Sequence, residues 1–495
     1  MAPPRFDHRR RQWLRAGGAS LLLPLLPGCG NSALSNGQSA PPVPSQPPVQ
    51  PGLSVQPRGI HISFADDPLR TRALTWFTDG RQNPGTWLEY GPVLPGMRPL
   101  DIQTQALPHR VEGHVESTFG RDVLTHRAYI DGIDPDLPLR YRVGHAGAWS
   151  EVFVIKPAPT GDQFRFSHVA DMGLNPAVSW VVKGLVRNDA DFFLLPGDLS
   201  YADGEQPVWD EWFDLMQPLL ARVPMMATPG NHERDDGNGD GYLTRTTHMG
   251  PHGNRGWYSF TFRNVHFCCS TGGVFAEDGL LDQELAFLET DLAAASARRA
   301  RGEIDFIVFA NHYPLWTDRA GRSPNNPRVI AMFEEMLLRY GVDLLPVGHD
   351  HIYQRSHRTA RGVRDENGYF QVIAGNGGKA MLDFDPISDW SASAQQRYGY
   401  TEYVVSGRRM VATTYAVDIR LGVGAVAANL PTFLDQPIDT FEITPRTMLA
   451  RQDFVRPARN VGMMMAAAGI HSSTQLLAEA RARSDAFRAD SSLVG

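Results

Sequence analysis

The feature that most constrains the fold is a strand–loop–helix rhythm that begins at about Gln163. Apolar runs such as DFFLLP (191–196) alternate with amphipathic segments such as PAVSWVVKGLVRND (176–189). This alternation is typical of βαβ units in an α/β domain, whose functional loops follow the carboxyl ends of the strands. Further strand-like pieces continue to about residue 445, so the sequence predicts an α/β domain over residues 163–445.

Oxygen and nitrogen ligands follow five consecutive predicted strands. They are Asp171 in DMG, Asp198 and Tyr201 in GDLSY, Asn231 in GNHE, His312 in VFANH, and His349 and His351 in VGHDH. A single strand-end Asp often only caps a helix, and a lone His is more often packed or solvated than a ligand. Five such places in order, at strand ends that converge on one crevice, instead favour a metal site.

The types of ligand predict two different cations. His349 and His351 point to the same side of an extended chain, and the carboxylate of Asp198 has two oxygens that can bridge two ions. The set divides into a hard, anionic site with Asp171, Tyr201 and one imidazole, and a more neutral site with Asn231, His312 and the other imidazole. Because Tyr has a pKa near 10, it is a good ligand only for an acidic ion such as Fe³⁺.

The ordered motifs DMG, GDLSY, GNHE, ANH and GHDH resemble the five metal motifs of purple acid phosphatases, within the calcineurin-like metallophosphoesterases. The resemblance covers about residues 58–445. It implies an α/β sandwich of two central β-sheets flanked by helices, with a separate N-terminal fibronectin-like β-sandwich. It also implies Fe³⁺ at Asp171, Asp198, Tyr201 and His351, and Zn²⁺, Fe²⁺ or Mn²⁺ at Asp198, Asn231, His312 and His349.

The activity implied by this resemblance is hydrolysis of phosphate monoesters by a metal-bound hydroxide, with an acidic pH optimum. A phosphodiesterase or nucleotide pyrophosphatase would use the same site. A surface binding lipoprotein with a vestigial metal site is the alternative from another class. The small-molecule partner is therefore expected to be a phosphate ester, and the net charge of −7 gives no reason to expect nucleic acid.

The sequence offers several candidates for the residue that donates a proton to the leaving group. Plant-type relatives place two His in the loop after the fourth motif, but WTDRAGRSPNNP (316–327) contains none. His232, next to the predicted ligand Asn231, would contact phosphate or act as the acid. His248, His252 and Arg255 in a Gly-rich loop are further candidates, each equally compatible with a solvated loop residue.

Residues 58–157 have a different pattern, with short alternating segments such as GIHISFA, ALTWFT and RYRVGHAG separated by turn residues. About seven strands at this spacing predict a small β-sandwich. The LRYRVG segment resembles the late Tyr-bearing strand of fibronectin-type-III-like domains. The His residues of this region are expected to be packed or solvated rather than ligands.

The N-terminal residues predict export and a tether. Residues 1–29 combine RRQWLR, which resembles a twin-arginine signal, with a short apolar run and LPGC, which resembles a lipobox with Cys29 as the lipidated residue. A plain signal peptide is the alternative, and either predicts a periplasmic, membrane-anchored or secreted bacterial protein. Residues 30–57 are predicted to be a Pro/Ser-rich disordered linker, and residues 446–495 a helical extension or tail.

Two further patterns predict no function. DGNGDG (236–241) matches the start of an EF-hand loop, but Thr247 stands where the closing Glu belongs, which favours a flexible loop. Cys268 and Cys269 are adjacent, so we expect two small buried strand residues and no bond between them.

Overall fold

The computed structural model describes residues 55–247, 256–276, 279–322, 324–417 and 435–446. The predicted signal peptide, nearly all of the linker, the C-terminal extension beyond Arg446, and His248, His252 and Arg255 lie outside these ranges. Within the described ranges, no helix is both long and apolar enough to cross a bilayer.

The N-terminal region consists of two antiparallel sheets. Its elements are β1 (Arg58–Ser63), β2 (Arg72–Asp79), β3 (Trp87–Pro92), α1 (Pro99–Thr104), β4 (His109–Glu112), β5 (His114–Ser117), β6 (Val123–Ile130), β7 (Leu139–His145), β8 (Ala148–Trp149) and β9 (Phe153–Ile155). One sheet has the order β1-β2-β6-β5, and the other has β4-β3-β7-β8 with β9 also on β7. Ile62, Trp76, Leu88, Tyr141 and Val143 fill the core between the sheets because alternate strand residues point inward.

The sequence prediction for this region is correct in type and differs in number. The structure has nine strands in place of about seven, because β8 and β9 are too short to give an alternating pattern. Helix α1 was not expected; it begins at a Pro, which suits the first turn of a helix. The fibronectin likeness and the domain boundaries stay predictions.

The second region follows in chain order with the elements that the strand–helix alternation predicts. They are β10 (Gln163–His168), α2 (Pro176–Asn188), β11 (Phe192–Pro196), α3 (Pro207–Leu220), β12 (Met225–Thr228), α4 (Asn231–Asp235), α5 (Asp240–Leu243), β13 (Tyr258–Phe262), β14 (Val265–Cys269), α6 (Asp282–Ala300), β15 (Phe306–Ala310), α7 (Pro327–Tyr340) and β16 (Leu344–Val347). The remaining strands are β17 (Tyr353–Ser356), β18 (Thr359–Ala360), β19 (Val363–Arg364), β20 (Phe370–Ala374), β21 (Ser391–Gln395), β22 (Gly399–Ser406), β23 (Arg409–Ala416) and β24 (Gln436–Ile443).

Apart from β18 and β19, which pair with each other, these strands form two large sheets that pack face to face. One has the order β12-β11-β10-β22-β23-β24, and the other β13-β14-β15-β16-β20-β17-β21. Aromatic residues from both sheets, among them Phe166, Phe192, Phe260 and Phe267, form the core between them. Helices α2 and α3 cover the outer face of the first sheet, and α6 and α7 cover that of the second. This confirms the predicted sandwich of two central sheets flanked by helices.

The N-terminal sheets pack against α3. Phe77 lies in the same apolar cluster as Trp209 and Phe213 of this helix. The Tyr141 hydroxyl donates to the carbonyl of Ala221 at 2.7 Å, just past the end of the helix. The buried apolar contacts of Phe77 and the buried hydrogen bond of Tyr141 together hold the first region on the outer side of the second.

The two adjacent cysteines behave as the sequence predicts. Cys268 and Cys269 are buried on β14 and form no disulfide. Burial raises the pKa of both thiols, so neither has the character of a reactive thiolate.

Candidate metal centre

The seven predicted ligands lie at the carboxyl ends of strands from both large sheets. In the first sheet β10, β11 and β12 are parallel neighbours, and in the second β14, β15 and β16 are. Parallel neighbours end at the same edge, so the loops after β10, β11 and β12 meet the loops after β15 and β16. The backbone N–H of His349 donates to Asp171 Oδ2 at 2.7 Å, which joins the two sheets at this edge.

Three of the ligands form an anionic group. The hydroxyl of Tyr201 donates to Asp171 Oδ1 at 3.0 Å. The same hydroxyl lies 3.0 Å from His351 Nε2, and that nitrogen lies 3.5 Å from Asp171 Oδ1. A carboxylate, a phenol and an imidazole therefore present three atoms to one point, as predicted for the harder cation.

The other four ligands form a second, more neutral group. His312 Nε2 lies 3.3 Å from Asp198 Oδ2, 3.2 Å from Asn231 Oδ1 and 3.2 Å from His349 Nδ1. Ligand atoms of Asp198, His312 and His349 all lie within 4.8 Å of one another. The structure thus brings all seven predicted residues together in the expected groups; their role as ligands stays a prediction.

Backbone strain is concentrated at this site. Nine non-glycine residues in the described ranges have positive φ, a conformation that L-residues with side chains rarely adopt. Five of them belong to the site or touch it: Asp171, Asp198, Tyr201, Asp203 and His349. Such strain costs about 1–3 kcal/mol per residue and persists only where the surrounding structure enforces it, which is common at functional sites.

Two glycines are required because the backbone passes directly beside the carboxylates. A Cβ on Gly230 would lie 2.1 Å from Asp198 Oδ1, and one on Gly348 would lie 2.4 Å from Asp171 Oδ2. No side chain fits at such distances, so these positions accept only glycine without displacement of a ligand. These are the glycines of GNHE and GHDH, which explains physically why the motifs contain them.

The hydrogen bonds around the imidazoles fit a pair of cations. His312 Nδ1 lies 2.8 Å from the carbonyl of Pro196, and His351 Nδ1 lies 3.0 Å from that of Ala380. A carbonyl only accepts, so each Nδ1 carries the proton and each Nε2 turns a lone pair toward the site. Lone pairs, carboxylate oxygens and an amide oxygen facing one another repel unless a cation lies between them.

The electrostatics lead to the same conclusion. Burial raises the pKa of Asp171, and burial followed by the charges of Asp171 and Asp198 raises that of Tyr201. Burial lowers the pKa of His312, but the charges of Asp198 and Asp171 outweigh it and hold the pKa at about 9. Among the described residues, neither carboxylate pairs with Lys or Arg. Without a metal, the carboxylates can recruit only protons, on His312 and on His232, so the residues present fit bound cations.

His232 lies at the edge of the site rather than inside it. Its Nδ1 is 2.6 Å from Asp203 Oδ1, its Nε2 is 3.8 Å from Asp198 Oδ2, and its ring centre is 4.2 Å from that of Tyr201. Burial lowers its pKa, but Asp198 and Asp203 raise it to about 9. Because Asp203 accepts the proton of Nδ1, Nε2 is the nitrogen directed toward the site.

Glu233 is a buried positioning residue that the sequence reading did not identify. Its carboxylate accepts the backbone N–H groups of Asp198 (2.8 Å), Leu199 (2.9 Å) and Gly230 (2.7 Å). It therefore ties the loop after β11 to the loop after β12. Its place as the last residue of GNHE was the available signal.

The loop after His312 lacks histidine but supplies arginine. Arg322 forms an ion pair with the buried Asp350, which stands between His349 and His351. Burial, followed by the charge of Arg322, lowers the pKa of His349. This loop therefore places a guanidinium close to the neutral ligand group, a contact that the sequence did not predict.

The EF-hand-like segment is part of the packing. Asp236 is buried and accepts hydrogen bonds from Gln206 and, at 2.6 Å, from Trp209 Nε1. Because its oxygens are directed at these side chains, Asp236 does not act as the first ligand of a calcium loop. The prediction against a Ca²⁺ site agrees with this geometry.

Comparison with known proteins supports the same family. Residues 164–353 match the family described as Calcineurin-like phosphoesterase. The chain is 27% identical over 377 residues to purple acid phosphatase 18 of Arabidopsis thaliana, which covers 73% of this chain and 80% of that protein. It is 27% identical over 395 residues to human acid phosphatase type 7, covering 72% of this chain and 86% of that protein.

Solved structures share the fold. The purple acid phosphatase PPD1 from yellow lupin (Lupinus luteus) seeds aligns with a TM-score of 0.64 and 19% identity, covering 80% of this chain and 78% of that one. A structure of PhoD aligns with a TM-score of 0.57 and 13% identity, covering 81% and 93%. The resemblance to this family implies a binuclear metal centre. The chain is thus a hydrolase, a homologue of the purple acid phosphatases whose residues 164–353 form a calcineurin-like phosphoesterase domain.

Proposed function

We propose that this protein is an exported phosphatase that hydrolyses phosphate monoesters, with an acidic pH optimum, at a centre of Fe³⁺ and a divalent metal. The observation that carries the proposal is the division of the seven side chains into an anionic and a neutral group. Asp171, Tyr201 and His351 would hold Fe³⁺, and Asn231, His312 and His349 would hold Zn²⁺, Fe²⁺ or Mn²⁺, with Asp198 shared between them.

Two bound cations would neutralise phosphoryl oxygens and make a water molecule more acidic, which is the chemistry that a phosphate ester requires. The chain's own residues fix where this chemistry occurs. The bonds from His312 Nδ1 to Pro196 and from His351 Nδ1 to Ala380 orient both rings, so neither has to reorganise during the reaction. Glu233 fixes the backbone that carries Asp198.

His232 is the residue best placed to bind a phosphoryl oxygen or to protonate the leaving group. Its side chain is 28% exposed, so a substrate can reach it, and Asp203 holds the ring by a bond of 2.6 Å. The raised pKa keeps Nε2 protonated at acidic pH. Cations on Asp198 would offset part of that rise and bring the pKa closer to the working pH.

Hydrolysis of p-nitrophenyl phosphate and bis-p-nitrophenyl phosphate by the metal-loaded protein tests the substrate class. The proposal predicts a larger kcat/KM for the monoester, with a maximum below pH 7. A larger kcat/KM for the diester would assign the site to a phosphodiesterase. Absence of both activities in protein that holds two metals would favour a vestigial site.

Export is proposed from residues 1–29, which carry the twin-arginine-like and lipobox-like patterns. Fractionation of bacterial cells that express the full chain, a chain without residues 1–29, and a Cys29→Ser variant would test it. The full chain should be found in the membrane fraction, and the Cys29→Ser variant should be found in the soluble exported fraction. Retention of the full chain in the cytoplasm would contradict the proposal.

A further inference from the structure

Lys379 lies over the aromatic ring of Tyr201, and neither the sequence motifs nor the proposed function gives it a role. Its Nζ is 4.0 Å from the centre of the ring. Its backbone N–H donates to the carbonyl of Asp171 at 3.0 Å, so the main chain itself is held beside the anionic group. The side chain is half-buried.

The ammonium group of Lys379 has no ion-pair partner among the residues described, and its recorded contact is the Tyr201 ring. Contacts of this kind are attractive because the face of an aromatic ring is electron-rich. The attraction becomes much stronger when the ring belongs to a phenolate, because the ring then carries negative charge. Lys379 therefore places its charge where it acts directly on the electrons of the Tyr201 ring.

The cation over the ring is a lysine rather than an arginine. The chain has 47 Lys and Arg residues, of which only three are lysines, namely Lys156, Lys183 and Lys379. Lys379 therefore differs from most cations of this chain in carrying a compact point charge. An ammonium group concentrates its charge over the ring, whereas a planar guanidinium spreads it.

We infer that Lys379 is a positioning residue: its ammonium group places a positive charge over the ring of Tyr201 and so sets the energy of electron transfer from that ring to the bound ferric ion. The inference rests on the proposed ferric site. A positive charge over the ring stabilises the electrons of the ring. More energy is then needed to move one of them to the iron, so the phenolate-to-iron absorption lies at higher energy. Removal of the charge should lower that energy and shift the band to longer wavelength.

Visible spectra of iron-loaded wild-type, Lys379→Met and Lys379→Arg proteins test this inference. Lys379→Met keeps the length of the side chain and removes the charge, so its band should move to longer wavelength by roughly 10 to 30 nm. Lys379→Arg should shift less, because it keeps a positive charge. Lys183→Met, an exposed lysine on α2, is the matched control and should leave the band unchanged.

Kinetics on the same variants separate this role from direct binding of the substrate. Because Lys379 acts through Tyr201, Lys379→Met should change kcat more than KM. A band that does not move in Lys379→Met, or a raised KM with an unchanged band, would overturn the inference and leave the ferric site intact. A wild-type protein that binds iron but has no visible band would overturn both the inference and the ferric assignment.

Discussion

His126 in the N-terminal sheets and His312 in the metal centre are both fully buried, at 0% exposure, but their surroundings differ. His126 lies between the hydroxyls of Thr78 (2.7 Å) and Thr86 (2.8 Å) and stacks on Trp76. Burial lowers its pKa to about 3, whereas the neighbouring carboxylates raise that of His312 to about 9. Burial alone therefore does not identify a functional histidine, and for these two residues the surrounding charges make the difference.

The buried polar groups of the two regions differ in whether they have partners within the protein. In the N-terminal sheets, the neutral imidazole of His126 completes a small hydrogen-bonded network, which is satisfied within the protein. At the strand ends, lone pairs and carboxylates face one another, and only a bound cation or proton can satisfy them. The predictions below test this contrast, from the largest expected effect to the smallest.

Asp198→Asn should have the largest effect. It removes the carboxylate shared by both ligand groups, so both metals should be lost and kcat/KM should fall by more than the ~10–100-fold typical of outer-shell changes. Metal analysis measures the bound metals, and hydrolysis of p-nitrophenyl phosphate measures kcat/KM. Asp136→Asn, at an exposed aspartate in the N-terminal region, is the matched control. Retention of both metals in Asp198→Asn would contradict its bridging role.

Glu233→Gln should have the next largest effect. The carboxylate of Glu233 accepts hydrogen bonds from three backbone N–H groups. In the variant, the NH₂ group of Gln would face at least one of these donors, and two donors repel. The two ligand loops should therefore lose their alignment. We expect a loss of metal affinity or kcat of about 10–100-fold. Metal titration of the folded variant checks this, and wild-type affinity would show that the loops hold their positions without Glu233.

The lowered pKa of His126 predicts a dependence of stability on pH that arises within the N-terminal sheets. Its pKa is lower in the folded state, so the unfolded chain binds more protons below about pH 6.5, and stability falls as the pH falls toward 3. From pH 6.5 to 5 this residue alone should cost about 2 kcal/mol. His126→Gln should be less stable at pH 7 but less sensitive to acid, with unchanged activity per folded molecule. Denaturant unfolding at several pH values measures the slopes, and equal slopes in both proteins would refute the assignment.

Among the changes to the metal centre, Tyr201→Phe should have the smallest effect on activity and the clearest optical effect. The ring and its packing remain, while the oxygen that would bind iron is lost, so the visible band should disappear and the fold should persist. A reduction of kcat of less than about 10-fold is expected, because the other ligands of the hard site remain. An iron-loaded variant that keeps the band of the wild type would show that Tyr201 is not its source.

The sequence predicted the second region well because its signal is both periodic and local. Apolar runs and amphipathic segments mark β10 to β16, and the ligands follow the strands directly in the chain. The topology of an open α/β sheet then requires the strand ends to converge, so no knowledge of distant contacts was needed. The resemblance to a known family added the assignment of His349 and His351 to separate ions.

Other contributors to the site depend on contacts that local sequence does not encode. Lys379 reaches Tyr201 from 178 residues away, and Arg322 reaches Asp350 through a loop without regular structure. Asp203 holds His232 from a turn of positive φ, where the sequence shows only a common turn residue. Such residues follow from how loops fold over the strand ends, and that is fixed by tertiary packing rather than by periodicity.

Anomalous diffraction from crystals of the purified, metal-loaded protein tests the central claim most directly. Data at the iron edge and at the edge of the second metal should show two peaks about 3.5–4 Å apart. The iron peak should contact Asp171, Tyr201 and His351, and the other Asn231, His312 and His349, with Asp198 between them. A single peak, or peaks that these seven side chains do not surround, would contradict the account.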